Sequence, residues 1–215
     1  MTIKIIIFDF DGTIADTLNV LLNITNRLAL QFGHKTINQE ELNQIKNLSS
    51  REIIKYSGIS ILKFPLLIAK VKHELNNEIE EAQVFPNIES ALVELRTQVD
   101  KVGIVSSNSK KNILAFLEAN NLQNLFDFIY TEVALFGKSK TINKILKQEN
   151  LKPEESIYVG DETRDIVAAK RSHVKAIAVS WGFNSKQVLA AQNPDFLIHQ
   201  PSQLIDIIKS LQDNS

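Results

Sequence analysis

Ile5-Ile6-Ile7-Phe8 is an apolar run without polar alternation, and it ends in Asp9-Phe10-Asp11-Gly12-Thr13. A strand that is apolar at every position has to be buried on both faces, the condition of a parallel sheet covered by helices on either side. Its ending constrains the chain as much as its body. Two unit charges about 4 Å apart repel by roughly 4 kcal/mol at an effective dielectric of about 20. If the backbone stays extended through residue 11, Asp9 and Asp11 share one side and Phe8 and Phe10 the other. Gly12 then permits a turn that a side chain would hinder. A helix cap or strand terminator accounts for one such carboxylate; two call for something that offsets their repulsion.

The rest of the chain repeats the pattern. Short apolar runs predict strands over Ile3 to Phe8, Val102 to Ser106, Phe128 to Tyr130, Ser156 to Val159, Ala176 to Val179 and Phe196 to Ile198. Helical periodicity separates them, over Ile88 to Val99, Lys111 to Asn120, Ser139 to Asn150, Arg164 to Ser172 and Ser202 to Leu211. Strands alternating with helices imply right-handed βαβ units, an α/β fold with a Rossmann-like open parallel sheet and helices on both faces. Ligands bind such sheets at the carboxyl ends of the strands. From Ile14 to Phe85 the rhythm breaks: helices are expected at Thr17 to Phe32, Gln39 to Lys46, Ser50 to Tyr56 and Leu62 to Ile79, with no strand. A stretch that long is no loop of a compact domain. The expected organisation is a core of residues 1–13 and 86–215, with a small all-helical cap inserted at 14–85.

Composition narrows the function. With 24 basic against 25 acidic residues, nothing points to nucleic acid. Cys is absent, which excludes disulfides and thiolate chemistry. The opening MTIKIIIFDF is interrupted by carboxylates where a secretory leader would continue, and no apolar run nears the roughly 20 residues of a membrane span. The expectation is a cytoplasmic protein, monomer or homodimer, with no membrane partner.

A second apolar run, Ile157-Tyr158-Val159, leads into Gly160-Asp161-Glu162-Thr163-Arg164-Asp165. Acids favour helix N-termini, which explains one of these carboxylates. It does not explain why two strands deliver acids to one sheet edge. Several convergent carboxylates need a cation, and oxygen ligands without Cys and with few His favour Mg²⁺. Mg²⁺ commonly takes a phosphate oxygen as well, so the site predicts a phosphate-bearing ligand. Ser106-Ser107-Asn108-Ser109, ahead of a helix, offers hydroxyls and amides suited to phosphate, although an N-cap serine is the commoner use. Lys138 follows Gly137 at a helix start, where a cation is slightly unfavourable unless something anionic faces it.

Four motifs stand in order: DFDGT, a strand ending SSN, a GK helix start and VGDETRD. Together they resemble the phosphatases of the haloacid dehalogenase-like hydrolase superfamily, and the long helical insertion resembles the phosphoglycolate phosphatase subgroup. The resemblance runs from Ile5 to about Phe183. It implies that Asp9 is the nucleophile forming an aspartyl-phosphate and Asp11 the general acid and base. It implies that Gly12, Thr13, Ser107 and Asn108 meet the phosphoryl group and that Lys138 orients it. Mg²⁺ would be bound by Asp9, Asp161 and the main-chain carbonyl of Asp11, with Asp165 behind them. Asn87 stands after Pro86 where the family has Gly, Ser172-His173 where it has Ala-Gly, and Ser139 where it has Pro. Asn87 can also take left-handed geometry. Arg51 and Lys55 in the insertion could meet an anionic substrate, although solvated helix faces are the commoner reading; Thr13 and Asp16 lie near the hinge. The implied substrate is a small phosphorylated metabolite, phosphoglycolate first. A pyrophosphatase or nucleotide phosphatase would share every motif, as would a phosphomutase. A metal-free dehalogenase would not need Asp11 and Asp161, and a non-catalytic binding protein would not retain every motif side chain.

Overall fold

The computed structural model of the protein describes residues 2–60, 62–131, 133–134 and 137–213. In chain order the elements are β1 (Ile5–Phe8), β2 (Ala15–Asp16), α1 (Leu18–Phe32), α2 (Gln39–Ile45), α3 (Ser50–Tyr56), α4 (Phe64–Leu75), β3 (Gln83–Val84), α5 (Ile88–Leu95), β4 (Lys101–Val105) and α6 (Lys110–Ala119). There follow β5 (Phe128–Tyr130), α7 (Lys138–Gln148), β6 (Ser156–Gly160), α8 (Thr163–Arg171), β7 (Lys175–Val179), α9 (Lys186–Ala190), β8 (Phe196–Ile198) and α10 (Gln203–Asp213). Six strands form one parallel sheet in the order β5-β4-β1-β6-β7-β8.

β1 lies near the middle, with Phe8 opposite Ile104 of β4 on one side and Val159 of β6 on the other. Its four residues are fully buried. Ile6 and Phe8 join the apolar cluster that holds α5, α6 and α10, while Ile5 and Ile7 join the one under α7 and α8. The absence of alternation in the sequence is therefore burial on both faces, at about 1.5–3 kcal/mol for each large side chain. Every strand expected in this sheet is present to within two residues at each end. The two departures that remove a glycine are accommodated by backbone: Asn87 and His173 adopt φ of 65° and 58°.

Between β1 and β4 the four expected helices form. α2 and α3 each open with a capping box, Asn38 with Glu41 and Ser49 with Glu52. α1 packs on α4, and Val20, Ile24, Leu28, Leu67 and Leu75 join the apolar cluster that also holds Phe8. One feature corrects the reading of 14–85 as free of strands. β2 and β3 pair antiparallel, Ala15 with Val84 and Asp16 with Gln83, and tie the two ends of the helical segment together. Strands of two residues are too short to leave an alternating pattern. No helix among the described residues is long and apolar enough to cross a membrane.

Candidate active site

β1 and β6 are neighbours in the sheet and both end at the same edge, which brings their carboxylates together. Asp9, Glu162 and Asp165 have carboxylate oxygens within 4.8 Å of one another. Lys138, from the first turn of α7, reaches into this group although it is almost fully buried. Its ammonium lies 2.5 Å from Asp9 Oδ2 and donates a 2.6 Å hydrogen bond to Asp165 Oδ1. The contact with Asp9 is an ion pair, and Asp9 Oδ2 takes no hydrogen bond from any other described group. The other oxygen, Oδ1, accepts from the Phe10 N–H at 2.8 Å. Burial works against the ammonium, but Asp165 and Asp9 outweigh it and hold the Lys138 pKa above its ordinary value. The Lys138 ammonium also sits 5.5 Å from the centre of the Tyr158 ring, whose hydroxyl donates to the Val105 carbonyl.

Asp11 is held from both sides. Thr17 Oγ1 donates to its Oδ1 at 3.0 Å, and Asn108 Nδ2 faces both oxygens at 3.0 and 3.1 Å. Burial first, and the charge of Asp9 second, push its pKa up to about 6. Asp161 is fully buried and bonded into the framework: Thr13 Oγ1 donates at 2.8 Å and the Phe183 N–H at 2.7 Å. Its space is closed by glycines. A Cβ on Gly12 would lie 2.1 Å from Asp161 Oδ2, and one on Gly182 would lie 2.4 Å from the same oxygen. Gly12 also has φ of 75°, a conformation side chains resist. Burial, then the charges of Glu162, Asp9 and Asp165, push the Asp161 pKa well up.

The structure thus brings Asp9, Asp11, Asp161, Asp165, Lys138 and Asn108 to one sheet edge. Thr13 is there as well, but its hydroxyl is spent on Asp161. Of the two serines, Ser106 is buried and its hydroxyl accepts from the Asn108 N–H, whereas Ser107 is only half-buried beside it. Sequence reasoning gave no role to Glu162, which pairs with Arg164 through a 2.6 Å hydrogen bond from Arg164 Nε. It also missed Thr17 and Asn184. Asn184 accepts from the Thr163 N–H and donates to the Leu48 carbonyl, joining the start of α8 to the helical segment. No motif spacing marks these side chains; only their orientation does. A cavity of about 340 Å³ opens beside Lys138, lined among others by Ser49 and Arg51 from the helical segment and by Ser139 and Arg164.

Charge decides what this edge can hold. Five carboxylates (Asp9, Asp11, Asp161, Glu162 and Asp165) face two cations, Lys138 and Arg164, which leaves three negative charges if all ionise. Glu162 and Asp165 have Arg164 and Lys138 beside them; Asp161 has no ion-pair partner among the described residues. An all-oxygen donor set fits a hard divalent cation, and among the described residues the carboxylates close enough to share one are Asp9, Glu162 and Asp165, with Asp161 outside that trio.

Residues 6–179 match the model of the haloacid dehalogenase-like hydrolases. The chain belongs to this family. It is 37% identical over 206 residues to a phosphoglycolate phosphatase of Synechococcus elongatus, covering 96% of this chain and 97% of that protein. It is 27% identical over 223 residues to the pyrophosphatase PpaX of Bacillus mycoides, covering 98% and 99%. Among solved structures, a haloacid dehalogenase-like family hydrolase from Streptococcus pneumoniae superposes with a TM-score of 0.80 at 22% identity, covering 95% of this chain and 98% of that one. That likeness speaks for the shared α/β fold.

Proposed function

We propose that this hydrolase is a Mg²⁺-dependent phosphatase that cleaves a small phosphorylated metabolite through an aspartyl-phosphate, with phosphoglycolate the first substrate to test. The observation that carries the reading is Asp9 Oδ2: buried, taking no hydrogen bond from main chain or neutral side chain, and 2.5 Å from the Lys138 ammonium. A carboxylate oxygen that faces a cation and is not tied into the framework by other hydrogen bonds is placed to attack phosphorus. The 37% identity to a phosphoglycolate phosphatase supports the substrate class; the pyrophosphatase likeness supports a phosphoanhydride as the second choice.

In this reading Asp9 Oδ2 attacks phosphorus while the bond to the leaving oxygen breaks. Asp11, protonated at the outset, gives its proton to that oxygen and becomes a carboxylate. It then takes a proton from water, and the resulting hydroxide displaces Asp9 from phosphorus, releasing inorganic phosphate. Lys138 offsets the charge that builds up on the phosphoryl oxygens, and Ser107 and Asn108 bind them along with main chain at Gly12 and Thr13. Mg²⁺ would be held by Asp9, Asp161 and the Asp11 carbonyl, where the unpaired negative charge lies, and would neutralise the phosphoryl oxygens. Asp165 keeps Lys138 in line. Residues 14–85 act as a cap over the core of 1–13 and 86–215, excluding water, with Arg51 and the Asn184–Leu48 bond at the seam.

The test is phosphate release from a panel of phosphorylated metabolites with Mg²⁺ or EDTA. Metal-dependent turnover of one compound, lost in Asp9→Asn, is the expected result. Turnover indifferent to EDTA or to Asp9→Asn would overturn the mechanism.

A further inference from the structure

We propose that Asn112, in the first turn of α6, is a positioning residue for Asp11, acting through Asn108 and linked to α4 by the Lys72 carbonyl. The proposal rests on the phosphatase reading, in which Asp11 delivers a proton to the leaving oxygen. Asn112 is fully buried. Its Nδ2 donates to Asn108 Oδ1 at 2.8 Å and, at 3.4 Å, to the carbonyl of Lys72. Asn108 Oδ1 also accepts from the Ser109 N–H at 2.7 Å. Two donors therefore demand an oxygen at that place, and the Asn108 amide cannot turn over. Its Nδ2 is left facing the two Asp11 oxygens at 3.0 and 3.1 Å. Turned the other way, it would set an amide oxygen against a carboxylate.

The cost falls on Asn112 itself. Its Oδ1 is buried with no hydrogen-bond partner, a state native proteins seldom tolerate without a reason. A leucine of similar size would satisfy the packing without an orphaned acceptor. The amide earns its place through the donor it offers Asn108, not through stability. The same residue touches the helical segment, and Ser109 beside it donates to Asn76 Oδ1 at 3.4 Å, just past the end of α4. The orientation of Asp11 is thus set by a chain of amides that begins at the seam between α4 and α6.

A residue that aims a proton matters in proportion to how much the leaving oxygen needs one. Asn112→Leu should be compared with wild type on the alkyl phosphate that wild type turns over best and on p-nitrophenyl phosphate, whose phenolate leaves without help. The expected result is a loss in kcat/KM, which reports only the steps up to departure of the leaving oxygen, of about tenfold or more on the alkyl ester, against less than about threefold on the nitrophenyl ester; kcat can fall on both, because Asp11 also takes the proton from water in the step they share. The melting temperature should not fall. In an Asn108→Ala background the same substitution should add nothing. Equal losses of kcat/KM on both esters, or an unchanged kcat/KM on the alkyl ester, would overturn the proposal; Asn112→Ala serves if the leucine does not pack. A wild type that releases phosphate from neither ester would break the phosphatase reading, and this proposal with it, whereas wild-type turnover with no ester-dependent split would break this proposal alone.

Discussion

Asp9 and the acids that follow β6 share one edge of the sheet and carry the same charge, yet they are held differently. Asp161 and Asp165 each have both oxygens engaged: Thr13 and the Phe183 N–H on one, Lys138 and the Glu162 N–H on the other. Asp9 has one oxygen bonded to the N–H of its own neighbour and the other facing only the Lys138 ammonium. The acids after β6 are thus part of the framework as well as of the charge, while Asp9 is held by its strand and by the Lys138 ammonium. The contrast separates two kinds of substitution, and the largest effect comes from the Asp9 oxygen that faces Lys138. Asp9→Asn should lower turnover on the order of 10⁴-fold or more. It also removes a charge from a crowded anionic cluster, so the metal-free variant should melt no lower than wild type. A variant that loses turnover only because it unfolds would erase the distinction drawn here.

Lys138 serves both sides, and its removal should be felt in folding as well as in rate. Lys138→Met leaves Asp9 and Asp165 buried without their shared cation, a change that costs about 3–5 kcal/mol when one partner of a buried pair is removed. Denaturant unfolding of the metal-free protein would show it as a lower midpoint. Asp161→Asn should fall between the two. The carboxamide oxygen can keep the Phe183 N–H only if its NH₂ turns to Thr13, whose hydroxyl must then accept where it now donates, and the expected loss is about 1–3 kcal/mol together with most of the turnover. If Asp161→Asn were as stable as Asp9→Asn, the framework role assigned to Asp161 would be wrong.

The same contrast explains what the sequence made legible. β1 and β6 were readable because burial on both faces leaves unbroken apolar runs, and their acids were readable because they follow those runs directly. Asn87 was readable as a left-handed position because few residues besides Gly accept that geometry. Glu162 stood in plain view within VGDETRD, but its pairing with Arg164 depends on side-chain direction, which spacing does not encode. Asn112 sits in the first turn of a helix, where an amide reads as ordinary capping chemistry. Thr17 is six residues from Asp11 and meets it only because Gly12 turns the chain. The β2–β3 ribbon joins residues some seventy positions apart through two-residue strands, too little pattern for any periodicity to register.

The smallest effect tests the charge argument itself. Burial pushes Asp11 and Asp165 up to about 6, with the charge of Asp9 adding to both and Lys138 opposing the rise at Asp165. Unfolded carboxylates titrate near 3.9. A folded pKa above the unfolded one means the native state binds more protons between those values, so stability falls as pH rises. The contribution of these two groups is present below about pH 4 and is lost as pH rises through about 6; Asp161, also pushed up, acts in the same direction. On the proposed function Mg²⁺ would bind the deprotonated forms, and its effect would run the other way. Saturating Mg²⁺ should raise the melting temperature by little at pH 5 and by clearly more at pH 7, as read by calorimetry. In Asp9→Asn, with one of the crowded charges gone, the gain at pH 7 should shrink. A Mg²⁺ response that is the same at both pH values would mean that the cation is bound elsewhere, by carboxylates already ionised at pH 5, and the repulsion between Asp9 and its neighbours would then have to be relieved by protons alone.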